Sequence, residues 1–152
     1  MVRADDLTNY SLDESIPYLM NRVVGQQNRW LEEDLHALGI SFQHWRVLAV
    51  LAMGDGVSIA DLSEHAVVPH STLSRLLTRL EDEGLLKRGA KTPDGRTASI
   101  LLTARGRLVY SRILPIAIER RENALTGFTA AEKTALSVLL KRMLGNLANT
   151  KR

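Results

Sequence analysis

Pro69-His70-Ser71-Thr72-Leu73-Ser74-Arg75-Leu76-Leu77-Thr78-Arg79-Leu80-Glu81-Asp82-Glu83 is the stretch from which the rest of this chain is best read. Leu73, Leu76, Leu77 and Leu80 stand at i, i+3, i+4 and i+7, the spacing of one apolar stripe on a helix. At about 100° per residue from Pro69, these leucines fall within roughly 340° to 80°, whereas Ser71, Arg75, Thr78 and Asp82 fall within roughly 180° to 240°. The outward face near the N-terminal end is therefore small hydroxyls and an arginine. A merely solvated helix usually carries Glu and Lys there. Small donors beside a guanidinium let a helix approach a duplex closely and reach base edges. An ordinary amphipathic helix with one face in water is the alternative reading of the same pattern.

Downstream the period changes. Leu85-Leu86-Lys87-Arg88 opens a strand, Thr92-Pro93-Asp94-Gly95 is turn chemistry, and residues 97–102 are apolar and β-branched enough to return. A two-stranded ribbon is marginal by itself, so it must lean on helices, and its tip carries Lys91 and Arg96 into solvent. Upstream, Ser41 caps a helix through Phe42, Trp45, Leu48 and Leu51 that ends at Gly54-Asp55-Gly56. Ser58 opens a short third helix to about His65, with Asp61 placed to return the capping bond. A tight turn, Ala66-Val67-Val68-Pro69, joins it to the leucine-striped helix. Helix, helix, helix, hairpin is a winged helix-turn-helix.

Two longer helical signals flank this block. Residues 15–38 place Ile16, Leu19, Met20, Val23, Leu31 and Leu35 at three- and four-residue steps. Asp13, Glu14 and Ser15 offer this helix an acidic, capped start, Pro17 suits its first turn, and Gly39 is its stop. It would reach roughly 36 Å, long for a chain of this size. Thr103 caps a fifth helix to about Leu125, with Pro115 expected to kink it. Thr129-Ala130-Ala131-Glu132 is a capping box for a sixth, where Leu136, Leu139, Leu140, Met143, Leu144 and Leu147 form a wide stripe. A central unit of roughly 60 residues cannot cover both stripes, so the arms are expected to pack on each other and on a second copy, most simply as a two-fold dimer. The interface residues expected are Ile16, Leu19, Val23, Leu136, Leu140, Met143, Leu144 and Leu147. A compact monomer with folded-back arms is the alternative. The fold class is thus mainly α with a small β-hairpin wing, a single domain over residues 1–152, with residues 41–103 reading DNA and residues 15–38 and 104–148 dimerising.

Charge agrees with that division. Residues 84–112 hold seven bases against one acid, +6 locally in a chain of net +3, which leaves −3 for the remainder. A basic stretch on a nearly neutral body is the footprint of a polyanion binder, although a solvated surface produces the same count. The absence of cysteine excludes a disulfide scaffold, a thiolate zinc site and a thiol nucleophile. The longest uncharged apolar run, residues 47–53, is far below the roughly 20 residues that span a bilayer, and the N-terminus has no apolar leader core. A soluble cytoplasmic protein is the expectation, with no membrane partner. No phosphate loop, nucleophile elbow, His-Glu-x-x-His helix or dinucleotide turn is present, so no enzyme is expected. His36, His44, His65 and His70 are too scattered for an expected metal site, and no cofactor is assigned.

Several segments together resemble a known family. They are Leu38-Gly39-Ile40-Ser41, Trp45-Arg46-Val47-Leu48, Leu62, the run from Ser71 through Arg75 to Gly84-Leu85, Asp94-Gly95-Arg96 and Leu102-Thr103-Ala104-Arg105-Gly106. In order and spacing they resemble the multiple-antibiotic-resistance regulator (MarR) family, over about residues 16–147. Pro69 departs from the family pattern, which often has a serine-like cap there. The resemblance implies a homodimeric transcription factor on a pseudo-palindromic operator, a repressor released by a small aromatic or phenolic ligand. A winged-helix module for protein contacts, or a metal-responsive regulator, is the alternative.

On this reading the leucine-striped helix enters the major groove. Ser71, Thr72, Ser74 and Arg75 face bases or phosphates, Thr78 shares their face, and His70 and Arg79 fix register on phosphate. In the resembling family the wing tip lies by the minor groove, so Arg96 would insert there, pinned by Asp94, with Lys91 beside them. The resemblance puts an effector where the first, second and fifth helices meet; Trp30, His44, Trp45, Arg46, Arg107 and Tyr110 are the polar-aromatic candidates. Both tryptophans read first as packing residues.

Overall fold

In the computed structural model, residues 11–54, 56–91 and 98–150 are described. After a single 3-10 turn at Leu12–Glu14 come α1 (Ile16–Ala37), α2 (Phe42–Ala52), α3 (Ile59–Ala66), α4 (His70–Asp82), β1 (Leu86–Lys91), β2 (Ala98–Leu102), α5 (Ala104–Ala124) and α6 (Ala130–Thr150). The architecture is mainly helical with one antiparallel hairpin, as the residue pattern requires.

The caps show why the helices begin where they do. Ser41 Oγ accepts the His44 N–H at 3.2 Å. Ser58 Oγ accepts the Asp61 N–H at 3.1 Å and donates to Asp61 Oδ2 at 2.7 Å. At the start of α6 the box closes in both directions: Glu132 N–H reaches Thr129 Oγ1 at 3.3 Å, and Thr129 N–H reaches Glu132 Oε2 at 2.7 Å. That backbone bond holds the Glu132 carboxyl below the usual carboxylate range. Each bond satisfies a helix-end N–H that has no partner within the helix. The start of α1 differs from expectation. Ser15 makes no side-chain capping bond, and Asp13 and Glu14 belong to the separate 3-10 turn. At the other end Gly39, with φ +70°, lets Ile40 N–H reach back to Leu35 O at 3.0 Å. Beyond Pro115 the helix continues, and α5 remains one element from Ala104 to Ala124.

Two apolar clusters organise the molecule. One lies under the winged unit, where Val47, Leu48 and Leu51 of α2 meet Leu62 of α3, all four leucines of the α4 stripe, and Leu86, Ile100 and Leu102 of the hairpin. Burying each leucine removes roughly 1.5–3 kcal/mol worth of apolar surface from water, and this fixes which face of α4 looks outward. The second cluster gathers Leu31 and Leu35 of α1, Trp45 of α2 and Ile113 of α5; Val109 packs against both.

The hairpin pairs Leu86 with Leu102 and Arg88 with Ile100, with an irregularity between Arg88 and Lys91. It does lean on the helices, and it has a further anchor that the pattern did not reveal. Val57, ahead of α3, bridges Ile100 in antiparallel fashion, with Ile100 N–H on Val57 O at 3.0 Å. Ile100 itself is fully buried in the first cluster.

Candidate nucleic-acid interface

The surface of α4 divides by residue type. Leu73, Leu76, Leu77 and Leu80 are buried, while His70, Ser71, Ser74, Arg75, Thr78 and Arg79 are exposed and Thr72 is half-buried. Toward its C-terminal end the cations are engaged with acids. Arg79 Nε meets Glu83 Oε1 at 2.9 Å, and Arg88 Nε of β1 meets Glu81 Oε2 at 3.1 Å. Thr78 Oγ1 donates back to Ser74 O at 3.3 Å. The two ends of α4 therefore differ: hydroxyls and a guanidinium at the N-terminal end, carboxylates at the C-terminal end. The positive end of the helix dipole coincides with the hydroxyl end, which makes that end the electrostatically favourable one for an anion. Lys87 and Arg88 of β1 are exposed alongside. Lys91 ends β1; Asp94 and Arg96, expected at the wing tip, lie outside the described residues.

A tight joint connects this unit to α5. Thr103 Oγ1 donates to Gly84 O at 2.7 Å and accepts the Gly106 N–H at 3.0 Å, while Thr103 N–H bonds to Leu85 O at 3.1 Å. A Cβ on Gly106 would stand 1.9 Å from Leu85 O, so only glycine lets α5 lie this close. The sequence shows Gly106 as a glycine early in a helix, a possible signal of close approach, but not what approaches.

The arms leave their apolar faces bare. Ile16, Leu19 and Val23 on α1, and Leu136, Leu144 and Leu147 on α6, are all exposed in the single chain, and Leu140 and Met143 are half-buried. An open groove between α1 and α6 is lined by Pro17, Met20, Val24, Met143 and Leu147. Further along α1, Arg120 of α5 grips Asp34 with two bonds, Nε to Oδ2 at 2.6 Å and Nη2 to Oδ1 at 2.8 Å. That guanidinium holds the Asp34 carboxyl below its usual range. Sequence reading missed this pair because its members are 86 residues apart.

Of the candidate effector residues, Trp45 and Tyr110 come together, their rings stacked at 5.5 Å and 10° between α2 and α5. Arg46 places its guanidinium 5.5 Å above the Phe42 ring, and burial lowers its pKa. His44 is 3% exposed, and its Nδ1 is buried without a hydrogen-bond partner. Burial pushes its pKa down, an effect opposed by Glu83 and reinforced by Arg79. Trp45 is a packing residue as expected; Trp30 is not, being 39% exposed on α1. Arg107 is on the exposed side of α5. Among the described residues no three His, Cys, Asp or Glu gather to hold a metal ion, and no helix is long and apolar enough to cross a membrane.

Comparison with known proteins gives concordant results. A sequence signature described as the MarR family matches residues 38–97. The homoprotocatechuate degradative operon repressor of Escherichia coli is 32% identical over 106 residues, covering 68% of this chain and 72% of that protein. The crystal structure of a MarR-family transcriptional regulator from Silicibacter pomeroyi superposes with a TM-score of 0.83 at 37% identity, covering 96% of each chain. A Mycobacterium tuberculosis MarR-family protein, solved in complex with salicylic acid, matches with a TM-score of 0.69 at 26% identity over 90% of this chain and 98% of that one.

Proposed function

The chain belongs to the MarR family of winged helix-turn-helix transcriptional regulators, and from that premise we propose that it acts as a homodimer which represses transcription by reading a pseudo-palindromic operator with two copies of α4. Residues 41–103 supply the reading unit, and residues 15–38 and 104–148 the dimerising arms. The observation that carries the reading is the exposed Ser71, Ser74 and Arg75 surface, set on a helix whose opposite face is sealed by buried leucines. Arg75 suits a bidentate contact to guanine, worth about 1–3 kcal/mol of discrimination. His70 and Arg79 touch phosphate, and Arg96 with Asp94 and Lys91 serves the minor groove.

The two α4 helices must stand about 34–36 Å apart to meet successive major grooves on one face of the duplex. The bare apolar surfaces of α1 and α6 are what a partner copy would cover. A small ligand that binds better to another arm geometry shifts that spacing and lowers affinity without touching DNA. A coupling of about 1–3 kcal/mol is enough for a useful switch. The relative with salicylic acid bound, and the one named for the homoprotocatechuate operon, favour a small aromatic acid as effector. Tyr110, half-buried and stacked on the buried Trp45 where α2 meets α5, is the aromatic side chain best placed to contact it.

The test is selection of bound duplexes from a random pool, followed by Arg75→Ala. The variant is expected to bind more weakly and to lose preference at one base position per half-site. Loss that is uniform across sequences makes Arg75 a phosphate contact. Failure to enrich any duplex at low salt overturns the proposal.

A further inference from the structure

Val67 is the one non-glycine residue with a positive φ among the described residues, at φ 52° and ψ 46°. It closes α3 in the left-handed conformation, where a branched Cβ crowds the following carbonyl and glycine or asparagine sits with less strain. Its neighbours Ala66 and Val68 are buried, yet Val67 itself is 67% exposed. Little of its side chain therefore packs within the chain to offset the strain. The backbone around it is held firmly: Val67 N–H bonds to Glu64 O at 3.2 Å, Val68 N–H to Ser63 O at 3.1 Å, and Ser63 Oγ donates to Val68 O at 2.8 Å. An exposed, apolar side chain on a firmly held backbone thus stands at the approach to α4, followed by exposed Pro69, His70 and Ser71.

We propose that Val67 is a specificity-determining residue of the DNA interface, its isopropyl group meeting the 5-methyl group of a thymine at the edge of each half-site. The inference rests on the function proposed above. With the N-terminal turns of α4 in the major groove, the turn that precedes them comes to the groove wall. A valine there offers nothing to a phosphate oxygen, because its side chain has no polar hydrogen and its backbone N–H is already bonded to Glu64 O. It does complement the one apolar group that the major groove displays, the thymine methyl. The left-handed backbone is the C-cap of α3; what calls for an outward role is that this position holds an exposed valine where glycine would sit with less strain.

The experiment uses the full chain and a duplex selected from a random pool by the unaltered protein. Each thymine is replaced in turn by deoxyuridine, which removes the methyl and nothing else. The expected result is about a fourfold loss of affinity at one thymine per half-site, the effect of one buried methyl group. Val67→Gly is expected to bind the thymine and deoxyuridine duplexes equally while unfolding at no lower urea concentration, so that its lost discrimination cannot come from a damaged fold. Val67→Ile is expected to keep the methyl dependence. If no methyl matters to the unaltered protein, if Val67→Gly retains the same dependence, or if Val67→Gly is the less stable protein, the inference is overturned. A protein that selects no duplex at all overturns the proposed function beneath it instead.

Discussion

Adding one methyl group at Gly106 tests how firmly α5 is seated on the winged unit. An ideal Cβ there would lie 1.9 Å from Leu85 O, 3.0 Å from the Leu85 carbonyl carbon and 3.1 Å from Leu102 Cδ2. The nearest of these atoms is backbone, so no side-chain rotation relieves the clash, and the first turn of α5 must move by more than about 1 Å to restore an ordinary carbon–oxygen contact. The same turn carries Thr103, whose N–H bonds to Leu85 O at 3.1 Å and whose hydroxyl bonds to Gly84 O at 2.7 Å. Overpacking of this kind costs about 1–3 kcal/mol, and each weakened hydrogen bond about 1 kcal/mol. The better helix propensity of alanine returns about 1 kcal/mol. Gly106→Ala is therefore expected to lose about 2–4 kcal/mol, which at a urea slope of about 2 kcal/mol/M lowers the unfolding midpoint by about 1–2 M. Circular dichroism against urea, at one fixed protein concentration because association contributes to apparent stability, measures this. A midpoint equal to or above that of the unaltered protein would show that propensity outweighs the clash and that the joint is loose.

The arms, the buried histidine and the wing yield three more. Leu140→Asp puts a charge into the expected partner-facing stripe of α6 and is expected to split the dimer; sedimentation showing an unchanged mass removes that face from the interface. His44 keeps its proton less readily in the folded state than in the unfolded one, because burial disfavours its charged form. The unfolded chain then binds more protons below about pH 6.5, so this contribution to stability is present above that pH and lost as pH falls. Unfolding midpoints at pH 7.5 and 5.5 are expected to differ more for the unaltered protein than for His44→Leu, and equal differences would show that His44 is not the group that titrates. Arg96→Ala is expected to flatten the logarithmic salt dependence of DNA binding by about 0.9 for each wing, since one phosphate fewer is neutralised, whereas an unchanged slope argues against groove insertion.

What could be known from the residues in order was what depends on neighbours in order. The α4 stripe, the caps at Ser41, Ser58, Thr103 and Thr129, and the stop at Gly39 all arise from contacts within about one helical turn, and periodicity or side-chain chemistry exposes them directly. The unused apolar stripes on α1 and α6 were legible for the same reason, since a face that is too greasy for water is visible without knowing what covers it. Folding alone decided which distant groups meet. Asp34 had no mark that pointed to Arg120, and Val57 none that pointed to Ile100. His44, in a helix whose apolar residues were plain, was carried into the interior because its neighbours Val47 and Leu48 went there, and Trp30 was left outside because the second cluster is built from Leu31 and Leu35 on another side of α1. Periodicity specifies faces; the pairing of those faces is settled by the closest packing that leaves the fewest polar groups unsatisfied, and that is a property of the whole chain at once.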